Sequence, residues 1–194
     1  MAKSKFSGVN PCAAICVVIS VSGCSQPSNG QVVADGEAAK AVECREFVYT
    51  NYQQSRDNEE FDTANDVLPD GIVSCQILTS PSEVQIFITV LSDAIRTGDS
   101  SRIASQSGVP VLFINRDGEA RSLDEPDLRV AWPEISASLR QKLPELTIQN
   151  VKLQRSEGVF FGDGYVWGRV DADTGSVVLK TINLEAAGSD VVHP

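Results

Sequence analysis

Apolar positions recur at helical spacing over several stretches of this chain and switch to strand-like runs in its last third. Val84, Phe87, Ile88, Leu91 and Ile95 fall three or four residues apart, which places them on one face of a helix. Ahead of them, Ser80-Pro81-Ser82-Glu83 combines an N-cap serine, a proline at the first helical position and a glutamate three residues on, the pattern of a capping box, and Gly98 supplies the stop. Leu128, Trp132, Ile135, Leu139 and Leu143 mark a second face, opened by Asp124 and Pro126, kinked or restarted at Pro133 and ended by Pro144. Ala41, Val42, Cys44, Phe47 and Val48 among polar residues predict a helix over 38–54. Asp99 caps a shorter one through Gln106, ended by Gly108.

Between these lie the strand signals. Residues 56–70 are acidic and loop-like, and Pro69-Asp70-Gly71 is a turn that leads into a short apolar run over 72–78. Residues 109–115 (VPVLFIN) read as a strand turned by Arg116-Asp117-Gly118. Further strands are expected over 147–155, with a slip in alternation near Asn150 that suggests a bulge, then over 158–161, 165–170 and 176–184. Gly162-Asp163-Gly164 and Asp173-Thr174-Gly175 are the turns between the later ones. The order of helices and strands implies an α+β fold, with helices packed on one face of a curved antiparallel sheet.

The first residues follow another logic. Lys3 and Lys5 precede an apolar stretch over 12–23, too short to span a bilayer, which takes roughly 20 apolar residues. It ends in Val21-Ser22-Gly23-Cys24, which resembles the lipobox of bacterial lipoprotein precursors: an aliphatic residue, two small ones, then the cysteine that takes a thioether-linked diacylglycerol. The resemblance implies a signal peptide over 1–23, lipidation of Cys24 and a stable anchor, since two or more acyl chains hold a protein where one does so only marginally. Residues 24–37 read as a flexible tether. Ser25 after the cysteine favours the periplasmic side of an outer membrane, if the host has two membranes.

Composition narrows the partners. The 194 residues hold 26 acidic and 16 basic side chains, a formal charge of -10. Removing residues 1–23 takes away Lys3 and Lys5 and no acid, so the remainder is more negative still. Such a surface repels phosphate backbones, and nucleic acid is not an expected partner. The only histidine is His193 and no CxxC pair occurs, so neither a zinc site nor any other cofactor is expected. Outside the cytoplasm Cys44 and Cys75 are either bridged or buried as free thiols, and an oxidising compartment favours the bridge.

From 82 to 184 the chain is similar to the nuclear-transport-factor-2-like (NTF2-like, cystatin-like cone) superfamily. The residues that carry the likeness are 91–99 (LSDAIRTGD), the strand 110–115, the segment 158–167 (GVFFGDGYVW) and the closing strand 178–183. The resemblance implies a cone over 80–185, preceded by a helix and loop extension over 38–79 and followed by a tail over 186–194. Its open end would hold a small molecule, with Phe87, Phe113, Trp132, Tyr165 and Trp167 either lining the pocket or filling the core. Enzymes of that kind place an Asp–His pair, or Asp with Tyr, inside the cone. No histidine lies within this domain, which leaves Asp163, Asp171 and Tyr165 as the acid–base candidates, and the two carboxylates fall in turn-rich segments where exposure is expected.

No serine or cysteine has a plausible histidine partner, so no catalytic residue is assigned. The reading that follows is a membrane-anchored envelope lipoprotein whose domain binds a ligand or another protein without catalysis. The alternative is a cone-type enzyme, isomerase- or dehydratase-like, acting on a small hydrophobic substrate.

Overall fold

The computed structural model describes residues 29–185, apart from 53 and 144, with side-chain surroundings from Gly36 onward. The apolar N-terminal stretch, Cys24 and the tail over 186–194 therefore lie outside the described residues, as does Pro144.

The first element, α1 (Asn29–Asn51), starts inside the segment expected to be a tether. Residues 29–36 continue a helix rather than forming a loop. Residues 36–40 are exposed and Ala41 is buried. Propagating a helix from its docked part needs only one hydrogen bond per residue added, and the run of Ala, Glu and Lys resists it little. The buried stripe is Ala41, Arg45, Val48 and Tyr49. It is rotated from the expected face, because Val42 and Phe47 are each 50% exposed while a guanidinium and a phenol point inward.

Two helices replace the expected loop and strand before Ser80. The second helix, α2 (Glu59–Asn65), carries Glu59, Glu60 and Asp62 in its first turn, where the helix dipole favours negative charge. A small hairpin, β1 (Val67–Leu68) with β2 (Gly71–Ile72), follows around the Pro69-Asp70 turn. The apolar run then coils into α3 (Val73–Ile77) instead of extending. Asp66 causes this: its Oδ1 accepts the Ser74 amide at 2.8 Å and its backbone carbonyl accepts that of Val73, so two donors of the first turn are satisfied. Leu78, at φ 58°, ends the helix.

The main helix α4 (Pro81–Thr97) has the predicted start, stop and face. Ser80 Oγ accepts the Glu83 amide, Gly98 at φ 75° returns its N–H to Ala94, and Val84, Phe87, Ile88, Leu91 and Ile95 are buried. Only half of the capping box forms. The Ser80 amide donates to Gln54 Oε1 at 3.1 Å, and the Glu83 carboxyl meets Ser176 instead. Next come α5 (Ser100–Ser105), β3 (Ser107–Ile114) and an unforeseen hairpin partner, β4 (Ala120–Leu123). The helix α6 (Glu125–Lys142) runs through Pro133 as one element, so of the kink or restart expected there the restart does not occur. Trp132, Ile135 and Leu139 hold it to the core, and Trp132 Nε1 donates to the Ala94 carbonyl of α4 at 3.2 Å.

A 3-10 turn at Ile148–Asn150, capped by Thr147, stands where a bulge was expected. The strands β5 (Lys152–Gln154), β6 (Gly158–Phe161), β7 (Val166–Val170) and β8 (Val177–Asn183) complete a six-stranded sheet ordered β4-β3-β8-β7-β6-β5. It is mixed, not antiparallel as expected: β3 and β8 are parallel, and every other neighbouring pair is antiparallel. Parallel neighbours need a long crossover between them, and α6 with four intervening strands provides it. The sheet is open, not closed into a barrel. Val111, Phe113, Val159, Phe161, Val166, Leu179 and Ile182 of one face pack with α4 and α6 into a single core.

Candidate functional site

Of the five aromatic residues expected either to line a pocket or to fill the core, Phe87, Phe113 and Trp132 belong to the core and Tyr165 packs against it. Phe87 and Trp132 are fully buried, and Phe87 packs on Phe161 with ring centroids 5.9 Å apart. Gly168 admits this packing, since a Cβ there would lie 3.1 Å from Phe87 and closer still to Val177. Side chains thus occupy the space between helices and sheet. Trp167 lies on the opposite face, against Phe160 at 4.5 Å, and donates to the Glu157 carbonyl at 3.0 Å. Tyr165 is half-buried, with the Lys142 ammonium 4.8 Å above its ring. Phe113 also borders a cleft.

Of the acid–base candidates, the two carboxylates Asp163 and Asp171 are held in the charged form, the wrong one for an acid. The Lys152 ammonium, 2.6 Å from Asp163 Oδ1, keeps that exposed carboxyl below the usual range. Asp171 is lowered too, first by the Thr174 amide and then by the Thr174 hydroxyl, as it caps its own turn. Neither is a buried carboxyl with a raised pKa.

The buried ionisable groups lie elsewhere, where α1, α2 and α3 meet the start of α4. Arg45 Nη1 is 3.1 Å from Asp66 Oδ2, which also accepts the Ser74 hydroxyl at 2.7 Å. Burial raises Asp66 above 3.8 in spite of these bonds. Asp62, fully buried, accepts the Tyr49 hydroxyl at 2.7 Å and the Ser82 amide at 2.6 Å. Burial, reinforced by the Asp62 carboxylate, pushes the Tyr49 phenol up. All the polar partners are supplied within the cluster, so it acts as a joint that docks the N-terminal helices. The Cys44–Cys75 disulfide closes the same joint, linking α1 to α3.

A groove of about 610 Å³ opens between α6 and the β3–β4 hairpin. Its floor is Phe113, Ile135 and Leu184, and its rim carries Arg116, Glu119, Arg121 and Glu134. Asn115 makes the hairpin rigid: its Oδ1 accepts the amides of Asp117 and Glu119, each at 2.9 Å, and its Nδ2 donates to Glu119. Arg116 ties the turn to α6 through Ser138 Oγ at 2.8 Å. The Arg121 guanidinium sits 5.2 Å over the Phe113 ring, where it shields the floor while keeping its donors toward solvent. An apolar floor with a rim of both charge signs suits a peptide or protein surface better than a neutral small molecule.

No protein-family model matches the chain, and comparison with curated proteins and with solved structures finds no match.

Phe113 was a candidate from the sequence, but the charged groove residues Arg121 and Glu134 were not, because β4 was not foreseen. For the buried joint one signal existed: Arg45 and Tyr49 share a helical stripe with Ala41 and Val48. Among the described residues, no group of three or more His, Cys, Asp or Glu could hold a metal ion, and no helix is long and apolar enough to cross a membrane.

Proposed function

We propose that this chain is a lipid-anchored envelope protein whose domain binds another protein without catalysis, through the groove between α6 and the β3–β4 hairpin. The observation that carries the binding part is the groove itself, an apolar floor under Arg116, Arg121, Glu119 and Glu134. The anchor rests on Val21-Ser22-Gly23-Cys24 after a basic and then apolar leader. Export also suits Cys44 and Cys75, whose bridge persists only in an oxidising compartment.

We read residues 80–185 as an NTF2-like cone. Support comes from the order of elements, α4, α5, β3, β4, α6 and then four strands, with helices gathered on one face of the sheet. The cone-type enzyme draws no support from the interior, where Phe87, Trp132 and Phe161 stand in the space a substrate would need.

Two measurements test the reading. Cys24→Ser moves the protein from the membrane pellet to the soluble fraction of the native host; full retention in the pellet overturns the anchor. A photo-crosslinker at Glu134 captures a discrete envelope partner, and one at the exposed Thr89 of α4 does not. Capture at both positions alike, or steady turnover of a substrate abolished by one groove substitution, overturns the binding role.

A further inference from the structure

In a chain with 26 acids and 16 bases, cations are scarce, and most of those among the described residues are engaged, the exposed Lys40 of α1 being one exception. Among the described residues six basic side chains form ion pairs and three donate to backbone carbonyls. Arg116 bonds Ser138 and Arg121 covers Phe113. Arg155 and Arg169 have no hydrogen-bond, ion-pair or ring partner among the described residues, and both line one cleft of about 360 Å³ at the far end of the sheet from the groove.

The cleft is built on fixed elements. Ser156 N–H donates to the Gln76 carbonyl of α3 at 3.1 Å, which seats the β5–β6 turn against a helix that the disulfide secures. Gly158, at φ 128°, lets that turn approach β7: a Cβ there would fall 2.0 Å from the Gly168 carbonyl and 3.0 Å from Arg169 Cα. Leu78, 43% exposed, and Val170 supply an apolar wall. Glu157 also lines the cleft and forms an ion pair with neither arginine.

We propose that this cleft binds the carboxylate of a small amphiphilic anion, with Arg155 and Arg169 on the carboxylate and Leu78 and Val170 along its apolar body. A planar guanidinium matches a carboxylate with two parallel donors. An exposed leucine beside two unpaired arginines offers an anion somewhere to lay a short hydrocarbon chain. The charge of the whole protein repels a dianion more than a monoanion, which favours a carboxylate over a phosphate ester. The site is separate from the groove and from the anchor, so its failure leaves those readings standing.

The test is calorimetric titration of the full-length protein with hexanoate, hexanol and hexyl phosphate. Hexanoate is expected to bind saturably and hexanol not to bind. Arg155→Gln and Arg169→Gln should each weaken hexanoate roughly tenfold. Both side chains are exposed and unpartnered, so neither change should alter the circular dichroism spectrum or melting point. The hexanol and hexyl phosphate comparisons need no variant. Equal binding of hexanol, tighter binding of hexyl phosphate than of hexanoate, or unchanged affinity when both arginines are replaced overturns the assignment.

Discussion

The Tyr49 hydroxyl donates to Asp62 Oδ2 across 2.7 Å, while Asp62 Oδ1 takes the Ser82 amide at 2.6 Å. One carboxylate thereby links α1 to the first turn of α4, where a helix leaves amide donors without internal partners. Tyr49→Phe keeps the ring and removes one donor from a buried anion. A hydrogen bond to a charged group is worth about 1.5–3 kcal/mol, and a loss of that size is expected in urea unfolding. Wild-type stability in this variant would show that the joint does not depend on the phenol.

The disulfide should contribute more. Cys44 and Cys75 are 31 residues apart, and a loop of that length constrains the unfolded chain by about 3–4 kcal/mol in the chain-entropy model. Native protein alkylated without reductant should gain no adduct at either cysteine. Paired replacement of both by serine should lower the urea midpoint accordingly, and α1 should be the first element to lose amide protection from hydrogen exchange.

Acidity is expected to help before it harms. Burial holds Asp66 and Glu83 above their ordinary values of 3.8 and 4.5. On acidification the folded protein therefore takes up these protons before the unfolded chain does. The penalty for keeping the two groups charged while buried is complete above their folded values. It shrinks as pH falls through those values and is gone below the unfolded ones. Asp171, lowered by Thr174, works the other way, adding stability above 3.8 that is lost as pH falls through its folded value. The urea midpoint should accordingly rise as pH falls toward the folded values of Asp66 and Glu83, and Asp66→Asn should flatten the rise. A wild-type midpoint that declines steadily from neutrality would contradict this.

Gly158→Ala should be among the most damaging single changes. The position combines φ 128° with a backbone carbonyl where the new methyl would sit, and neither strand can retreat without breaking the β6–β7 ladder. A loss of roughly 3 kcal/mol or more is expected from thermal or urea unfolding, with the β5–β6 turn displaced. Gly164→Ala is the control. It too has positive φ, yet no atom lies within 4 Å of its Cβ position, so only the smaller backbone strain applies.

What could be read in advance follows a physical division. Val84 through Ile95 and Leu128 through Leu139 were legible because each helix buries one stripe, so burial repeats at the helical period. Ser80, Gly98, Asp99 and Asp124 were legible because capping is local chemistry. The helices at 59–65 and 73–77 were not, since Asp62 and Asp66 bond amides 20 and 8 residues away, and no short window records such a bond. The parallel pairing of Leu112 with Thr181 was hidden for the same reason.

The site divides in the same way. Aromatic content pointed to Phe87 and Trp132, which the core uses, whereas the groove depends on Arg121 and Glu134 being brought together by a hairpin and a helix. Cys44 and Cys75 were readable from compartment and count, without geometry.

The placement of β8 has one more consequence. This strand, the last among the described residues, lies between β3 and β7, so until 177–183 are delivered the sheet exists as two unconnected halves with their shared core exposed to water. Contacts of such long sequence separation form late and slowly. A polypeptide wired in this order cannot close its core before residues 177–183 have left the ribosome, so its earlier strands wait unsealed for a late keystone.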